Sequence, residues 1–318
     1  MSNILITMAE DKASTRDDHF GVKLNVDEGD CYDFSVELQA LGHDVFFANW
    51  DDLDGDEFSR MFHDNAKRFI TPLAPSEADL IFVYKMEGFY FNLPRFFRMV
   101  EMFAEAAPLV VNHPATIRHN IDKRYLLELE QREILVPPTQ LMNDSVRERV
   151  ARGEPFVLKP ISGERGEGVT LVKTPDELAA VEGLEDGYLA QDYIPGIRAG
   201  ERSLVFLGFE FQHAFLRIPS RPGEFRCNES QGATVVRYEP TAAEMDFALR
   251  TLRAYESFGC PVHYSRIDII ESERGPMLME AELINPSVLA RYVGRGSEFA
   301  KSIAAYFDGL LGKRRARS

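Results

Sequence analysis

Two short segments near the C-terminus, Ser265-Arg266-Ile267-Asp268-Ile269-Ile270 and Met277-Leu278-Met279-Glu280-Ala281-Glu282-Leu283, set three carboxylates among apolar residues. Both alternate polar and apolar side chains with the two-residue period of a strand. Residues 271–276, made of Glu, Ser, Arg, Gly and Pro, read as the turn between them. In such a hairpin Arg266 and Asp268 share one strand face, and Leu278, Glu280 and Glu282 share one face of the partner. Asp268 then lies opposite Met279 or Glu280, with Cβ atoms roughly 5 Å apart. Carboxylates this close repel one another or protonate unless a hard divalent cation neutralises them, and Mg²⁺ takes one or two carboxylates plus substrate phosphates. Asn285, just past the second segment, could add a neutral oxygen. The alternative is a solvated strand face with ordinary surface carboxylates.

Upstream, residues 154–160 (Glu-Pro-Phe-Val-Leu-Lys-Pro) form a strand pattern ending on Lys159. It runs into Ser162-Gly163-Glu164-Arg165-Gly166-Glu167-Gly168, and a second strand pattern follows over 169–173. Three glycines within six residues let backbone amides approach an anion closely. No Gly-Lys-Ser/Thr opens a helix, and a strand rather than a helix follows, so this is neither a P-loop nor a dinucleotide fingerprint. A strand, a glycine hairpin and a strand, with a lysine at the mouth, suit a lid over phosphates. Residues 188–196 (Tyr-Leu-Ala-Gln-Asp-Tyr-Ile-Pro-Gly) read as an apolar strand that stops at Pro195; its main chain could face an adenine edge, or it could be a plain core strand. Residues 120–127 open a helix with Ile121, Tyr125 and Leu129 on one side. Lys123 falls in its first turn, where a lysine opposes the helix dipole and hints at a bound anion.

In this order the motifs resemble the ATP-grasp superfamily, specifically its glutathione-synthetase-like branch, over about residues 111–290. Stretches at 120–127, 200–206, 211–214 and 282–287 are similar to the subgroup containing the cyclo-ligase that forms cycloserine from O-ureido-serine. The resemblance implies an ATP-grasp fold of α/β class with α+β lobes. An N-terminal α/β lobe over 1–112 would lie on the substrate side. The ATP-grasp region would span 113–312, with a small lid lobe at about 138–192, and a basic tail would follow over 313–318. It implies that Lys123 and Lys159 hold ATP phosphates under a mobile loop that includes Ser162, Gly163, Gly166 and Gly168. Gln191, Asp192, Tyr193 and Ile194 would form the adenine hinge, with Glu201 near the ribose or the edge of the site. Asp268 and Glu280 match the magnesium carboxylates. The family places Asn two residues after that Glu; here the position is Glu282 and Asn285 stands three later, so both are candidates. Arg226 matches the arginine that steadies the transferred phosphate, and Asn228 in the same polar loop is grouped with it as catalytic.

The chemistry that such an inventory implies is activation of a carboxylate by ATP. A carboxylate oxygen must be placed in line with the γ-phosphate while lysines, an arginine and Mg²⁺, expected as two ions, neutralise accumulating charge. An amine would then attack the acyl-phosphate to give an amide, ADP and phosphate, beneath a lid that keeps water out. Lys159, Arg226 and the metal carboxylates are the expected catalytic groups. The expected substrate is small and amino-acid-like. The alternatives are an intramolecular cyclo-ligase and, in another class, an inactive nucleotide-binding regulatory module.

The elements that must carry these residues alternate β and α. A strand is expected over 3–8, a helix over 32–41 ending at Gly42, strands over 44–48 and 79–84, a helix over 94–106 and a strand over 108–112, together a small parallel lobe. Ligands bind at the carboxyl ends of such strands, which makes Arg16, His19 and Lys23 in the 10–30 stretch, with Lys85 and Tyr90, candidates for substrate contact. Thr174-Pro175-Asp176-Glu177 and Thr241-Ala242-Ala243-Glu244 are capping boxes, the second opening a helix that should end at Gly259. The last helix, 298–311, is read as a packing helix, with the surface of a homo-oligomer as the alternative.

Bulk properties fit this reading. With 318 residues the chain can bury a large core, and a net charge of −15 argues against nucleic acid or an anionic membrane as partner. Cys31, Cys227 and Cys260 have no metal spacing and cannot all pair, which suits a reduced cytoplasmic setting. No stretch reaches the roughly 18 apolar residues of a membrane span, and no apolar leader is expected.

Overall fold

The first strand, β1 (Asn3–Met8), is buried over five of its six residues, which an apolar run flanked on both faces requires. It is central in a six-stranded sheet. The computed structural model describes residues 1–8, 34–86, 88–181, 187–221, 223–228 and 231–316. The sheet also holds β2 (Asp44–Asn49), β5 (Met61–His63), β6 (Arg68–Ile70), β7 (Leu80–Val83) and β8 (Val110–Val111), in the order β6-β5-β2-β1-β7-β8. A short hairpin, β3 (Leu53–Asp54) and β4 (Glu57–Phe58), lies outside it. The pairs among β2, β1, β7 and β8 are parallel, as expected. However, β5 and β6 add antiparallel partners at one edge, so the lobe is mixed rather than parallel. Helix α1 (Phe34–Ala40) stops short of Gly42, which takes φ +86°. Helix α2 (Leu93–Ala106) buries Phe96, Met99, Val100 and Phe103, spaced by three and four residues, against the opposite face.

Helices α3 (Pro114–Asn120) and α4 (Tyr125–Glu130) replace the single helix expected across 120–127. Lys123 therefore sits in the break between them, its amide donating to the Ile161 carbonyl at 2.9 Å. The break points the lysine at the lid rather than along a helix face.

The second sheet is β9 (Thr139–Leu141), β10 (Phe156–Pro160), β11 (Thr170–Val172) and β12 (Tyr188–Asp192), all antiparallel in the order β11-β10-β12-β9. With α5 (Asp144–Ala151) and α6 (Pro175–Ala179) it encloses its own core around Phe156, Leu158 and Val172. Thr174 and Glu177 make the reciprocal capping bonds that the sequence implied.

The third sheet, in the order β15-β14-β13-β16-β17, is antiparallel: β13 (Glu201–Leu207), β14 (Glu210–Ile218), β15 (Thr234–Tyr238), β16 (Tyr264–Ser272) and β17 (Gly275–Glu282). One face packs on α4 and α7 (Ala242–Ser257), and α7 carries the second capping box. The other face shares a core with β1, β7, α1 and α8 (Gly296–Arg315). Helix α8 buries Phe299, Ile303, Phe307 and Leu311, so it is a packing helix. It also continues through Lys313, Arg314 and Arg315, which are exposed, and Arg315 donates to the Met1 carbonyl at 3.1 Å. No helix among the described residues is long and apolar enough to cross a membrane.

Two buried asparagines hang the β16–β17 hairpin from the first lobe. Asn112, just after β8, accepts from the amides of His263 (2.8 Å) and Tyr264 (2.9 Å) and donates to the carbonyl of Leu283 (2.6 Å). Asn120 accepts from the Leu283 amide at 2.9 Å and donates to the Ala281 carbonyl at 2.8 Å. Removing either side chain strands buried main-chain polar groups, each costly when unpaired. Asn112→Ala should lower unfolding free energy by about 3 kcal/mol in urea titrations, against less than about 0.5 kcal/mol for an exposed change such as Arg147→Ala.

Candidate active site

The hairpin register sets the site. Asp268 pairs with Glu280 and Arg266 with Glu282, and the ladder shifts by one residue after Asp268. On the other side β13 brings Ser203 opposite Asp268, while Glu201 lies opposite Arg217 of β14. Asp268 is fully buried. It accepts from Ser203 Oγ at 2.7 Å, Arg266 Nε at 2.9 Å and Arg217 at 2.8 Å. Burial alone would raise its pKa, but Arg217 and Arg266 outweigh burial and hold it below the usual carboxylate range. Glu201 ion-pairs with Arg217, yet burial pushes its pKa up against that pair.

Glu280 lies 3.0 Å from Lys123 Nζ. Burial resists its charge, and Lys123 and Lys159 overcome that resistance, so its pKa is lowered. The two lysines diverge. For Lys123 the cost of burial is exceeded by Glu280, Glu282 and Glu164, which raise its pKa; for Lys159 burial prevails over Glu280 and Glu201 and lowers it. Lys159 is the penultimate residue of β10, and its one hydrogen bond among the described residues is to the Met279 carbonyl, at 3.4 Å.

Of these residues Lys123, Lys159, Glu201, Arg217 and Glu280 line a cleft of about 930 Å³, the solvent at its open mouth included. Its wall also holds Gly163, Gly166, Tyr193, Ile194, Arg226 and Asn228. The glycine hairpin closes over it: Lys123 Nζ donates to the Gly163 carbonyl at 2.8 Å and Ser162 Oγ to the Ile121 carbonyl at 3.2 Å. Gly166, at φ +72°, lies so near the 226–228 loop that a Cβ there would sit 2.8 Å from Asn228 Oδ1. Gly168 likewise leaves no room for a Cβ, which would lie 2.7 Å from Pro160. Side chains of the hinge are occupied. Gln191 donates to Thr139 Oγ1 at 3.0 Å and Asp192 pairs with Arg149 at 2.6 Å. The Tyr193 main chain has no hydrogen-bond partner among the described residues, which leaves an amide and a carbonyl for a ligand edge.

For a divalent cation the oxygens divide unevenly. Asp268 is enclosed by its three donors, and Glu282 turns Oε1 onto the amides of Ile284 (3.0 Å) and Asn285 (2.9 Å). Asn285 Oδ1 is buried without a partner among the described residues, an orphan acceptor that a cation would satisfy. Glu280 and Asn285 therefore fit the group best, although no three His, Cys, Asp or Glu side chains cluster for a metal among the described residues. Of the substrate candidates, Lys85 is buried at the carboxyl end of β7 with φ +48° and donates to Ser287 Oγ at 3.2 Å. Tyr90 donates to Glu167 of the lid. Arg16, His19 and Lys23, and Cys31, lie outside the described residues.

Arg217 and Arg266 are the functional side chains that motif reading did not assign. Arg266 had a signal, two residues before Asp268 on one face. Arg217 had none, since only the β13–β14 register brings it to Asp268.

The fold and cleft are those of a nucleotide-dependent ligase. Residues 123–306, more than half the chain, match the RimK-like ATP-grasp domain, and the protein belongs to that family. It is an ATP-grasp ligase of the kind that forms a C–N bond and releases ADP, and such ligases use ATP and Mg²⁺. A probable alpha-L-glutamate ligase of Maridesulfovibrio salexigens is 28% identical over 215 residues, 62% of this chain and 69% of that protein. A glutathione synthetase of Thermosynechococcus vestitus is 29% identical over 188 residues, 56% of each chain. Among solved structures, D-cycloserine synthetase DcsG superposes with a TM-score of 0.71 at 16% identity, covering 97% of this chain and 99% of that one.

Arg226 is steered by Glu224, which accepts from its Nε at 2.9 Å and from its main-chain amide at 3.0 Å. Hydrogen bonds from Arg226 hold the Glu224 carboxyl down at about 2, against an ordinary 4.5. A depressed carboxyl stabilises the fold above its unfolded pKa, and that contribution is lost as pH falls through the folded value. Glu224→Gln should therefore flatten the fall in stability between pH 4.5 and 2 seen in acid unfolding profiles of the parent protein.

Proposed function

We propose that this ligase activates the carboxylate of a small amino-acid-like substrate with ATP and joins it to an amine through an acyl-phosphate. The observation that carries the reading is one cleft lined by Lys123, Lys159, the glycine hairpin, Arg226 and Glu280. Lys159, with its charge disfavoured by burial, gains a partner when phosphate enters, and Lys123 stays cationic beside Glu280. Arg226, held by Glu224 at the cleft wall, faces the transferred phosphate. The hinge at Tyr193 and Ile194 takes the adenine edge, and Glu201 lies on the ribose side. Glu280 and Asn285, with Asp268 or Glu282 completing the set, would hold Mg²⁺. When bound, the metal supplies positive charge to the phosphate oxygens and orients them. The hairpin excludes water, which would otherwise hydrolyse the activated carboxylate.

The names borne by the relatives, glutamate ligase and glutathione synthetase, support an amino acid or peptide carboxylate as acceptor of phosphate and a second molecule as amine. Intramolecular ring closure is the competing reading, supported by the whole-length likeness of fold to the cycloserine-forming enzyme. Lys85 and Tyr90 lie on the substrate side and would choose between them. The chain would act in the cytoplasm.

Phosphate release from Mg²⁺-ATP with amino acids offered singly and in pairs, products weighed by mass spectrometry, separates these readings. Ligation gives a product equal to two substrates less one water and needs both. Ring closure gives one substrate less one water. Nucleotide binding with no phosphate release under any pair counts against turnover. Glu280→Ala should abolish phosphate release, by at least about 100-fold, while the circular dichroism spectrum stays that of the parent.

A further inference from the structure

Glu164 is the lid residue whose contacts leave the nucleotide side. It follows Gly163, whose carbonyl takes the Lys123 ammonium, so consecutive residues, about 3.8 Å apart, bridge the phosphate-binding lysine and the opposite wall. Its Oε1 accepts from the Gly88 amide at 2.9 Å, and its Oε2 accepts from the Asn285 side-chain amide at 3.0 Å. Gly88 belongs to the first lobe, at φ +75° where the chain enters the turn before α2, and Asn285 follows β17. Three residues on, Glu167 takes the Tyr90 hydroxyl from the same first-lobe turn. The lid is thus fastened at its stem by Lys123 and Ser162, on one flank by the 226–228 loop, and at its tip by Glu164 and Glu167.

From this geometry we infer that Glu164 is a positioning residue that holds the phosphate lid shut against the substrate-side lobe, making lid closure conditional on the arrangement of that lobe. The inference rests on the proposed ligase reading. Both donors to Glu164 are neutral amides, and the Lys85 and Lys123 ammonium groups also favour its charged form, so opening the latch breaks two hydrogen bonds and weakens that attraction. The latch spans three parts of the chain, at 88, 164 and 285, which come together only when lid, first lobe and hairpin are aligned. The consequence is chemical. With the lid shut, the amine's lone pair attacks the acyl carbon, phosphate leaves with the bonding pair, and the amine's surplus proton is lost. With the lid ajar, water attacks the same carbon, returning the free carboxylate and phosphate and consuming ATP without product.

The test compares the parent protein with Glu164→Ala, Glu164→Gln and Tyr90→Phe, using Mg²⁺-ATP and the substrates found to be joined. Phosphate and amide are counted together. The parent should release one phosphate per amide, and Glu164→Ala should release several-fold more phosphate than amide, with KM for ATP within about twofold of the parent. Glu164→Gln keeps an acceptor for Gly88 and should lie between, and Tyr90→Phe should deviate least. A ratio that stays at one in Glu164→Ala while both rates fall together overturns the proposal. If the parent joins no substrates, the ligase reading fails, and trypsin cleavage after Arg165 still decides the latch. Mg²⁺-ADP should protect that bond in the parent and not in Glu164→Ala. Equal protection in both overturns the latch.

Discussion

The buried charge array around Asp268 constrains everything else in this molecule. Asp268, Glu201 and Glu280 bring three carboxylates into a water-poor sheet, and Arg217, Arg266 and Lys123 face them. Unit charges 4 Å apart interact by about 4 kcal/mol at an effective dielectric of 20, so each partner must sit in register. Losing one would leave an uncompensated charge in the core. The strands that hold these residues are accordingly apolar on every other position that the array does not use, and β16 is buried over seven of its nine residues.

Such an array is useful because it is nearly, but not wholly, satisfied from within. Asp268 is complete. Glu280 shares Lys123 with the Gly163 carbonyl, Lys159 has a single long hydrogen bond, and Asn285 Oδ1 has none among the described residues. The unspent capacity lies on the cleft side, where a polyanion and its counter-ions would complete it. Lobes that meet at one cleft are held by long-range ties rather than by a continuous sheet. Asn112 and Asn120 fix the hairpin to the first lobe, and Lys85 meets Ser287 across more than two hundred residues of chain.

Much of the fold was legible because its signals are local. Strand β1, the β16–β17 hairpin, both capping boxes and helix α2 follow from periods of two and 3.6 and from cap residues within four positions. Two errors have physical causes. The apolar spacing through 120–127 is continuous in sequence, but the Lys123 amide bonds to Ile161 and the helix breaks there to meet the lid. The first lobe reads as parallel because β5 and β6, three residues each, are too short to show a period, and they add its antiparallel edge. In the site, Lys123, Lys159, the glycine hairpin and Arg226 lie together at the cleft, as the motifs implied. The hinge residues Gln191 and Asp192 line the same cleft, with their side chains bonded to Thr139 and Arg149 of the lid lobe.

By itself the sequence determined which residue types could do the chemistry and which local element each rides on, because side-chain period, capping and glycine content act over a few residues. The tertiary structure alone decided that Arg217 shares Asp268 with Arg266, that Glu164 spans from the lid to Gly88 and Asn285, and that Glu282 turns to the main chain of 284 and 285 while the Asn285 side-chain oxygen has no partner among the described residues. These depend on strand register and on lobes meeting across dozens to hundreds of residues. Such contacts leave no periodic trace in the chain, since any sequence that packs the same cores could bring different side chains to the same point.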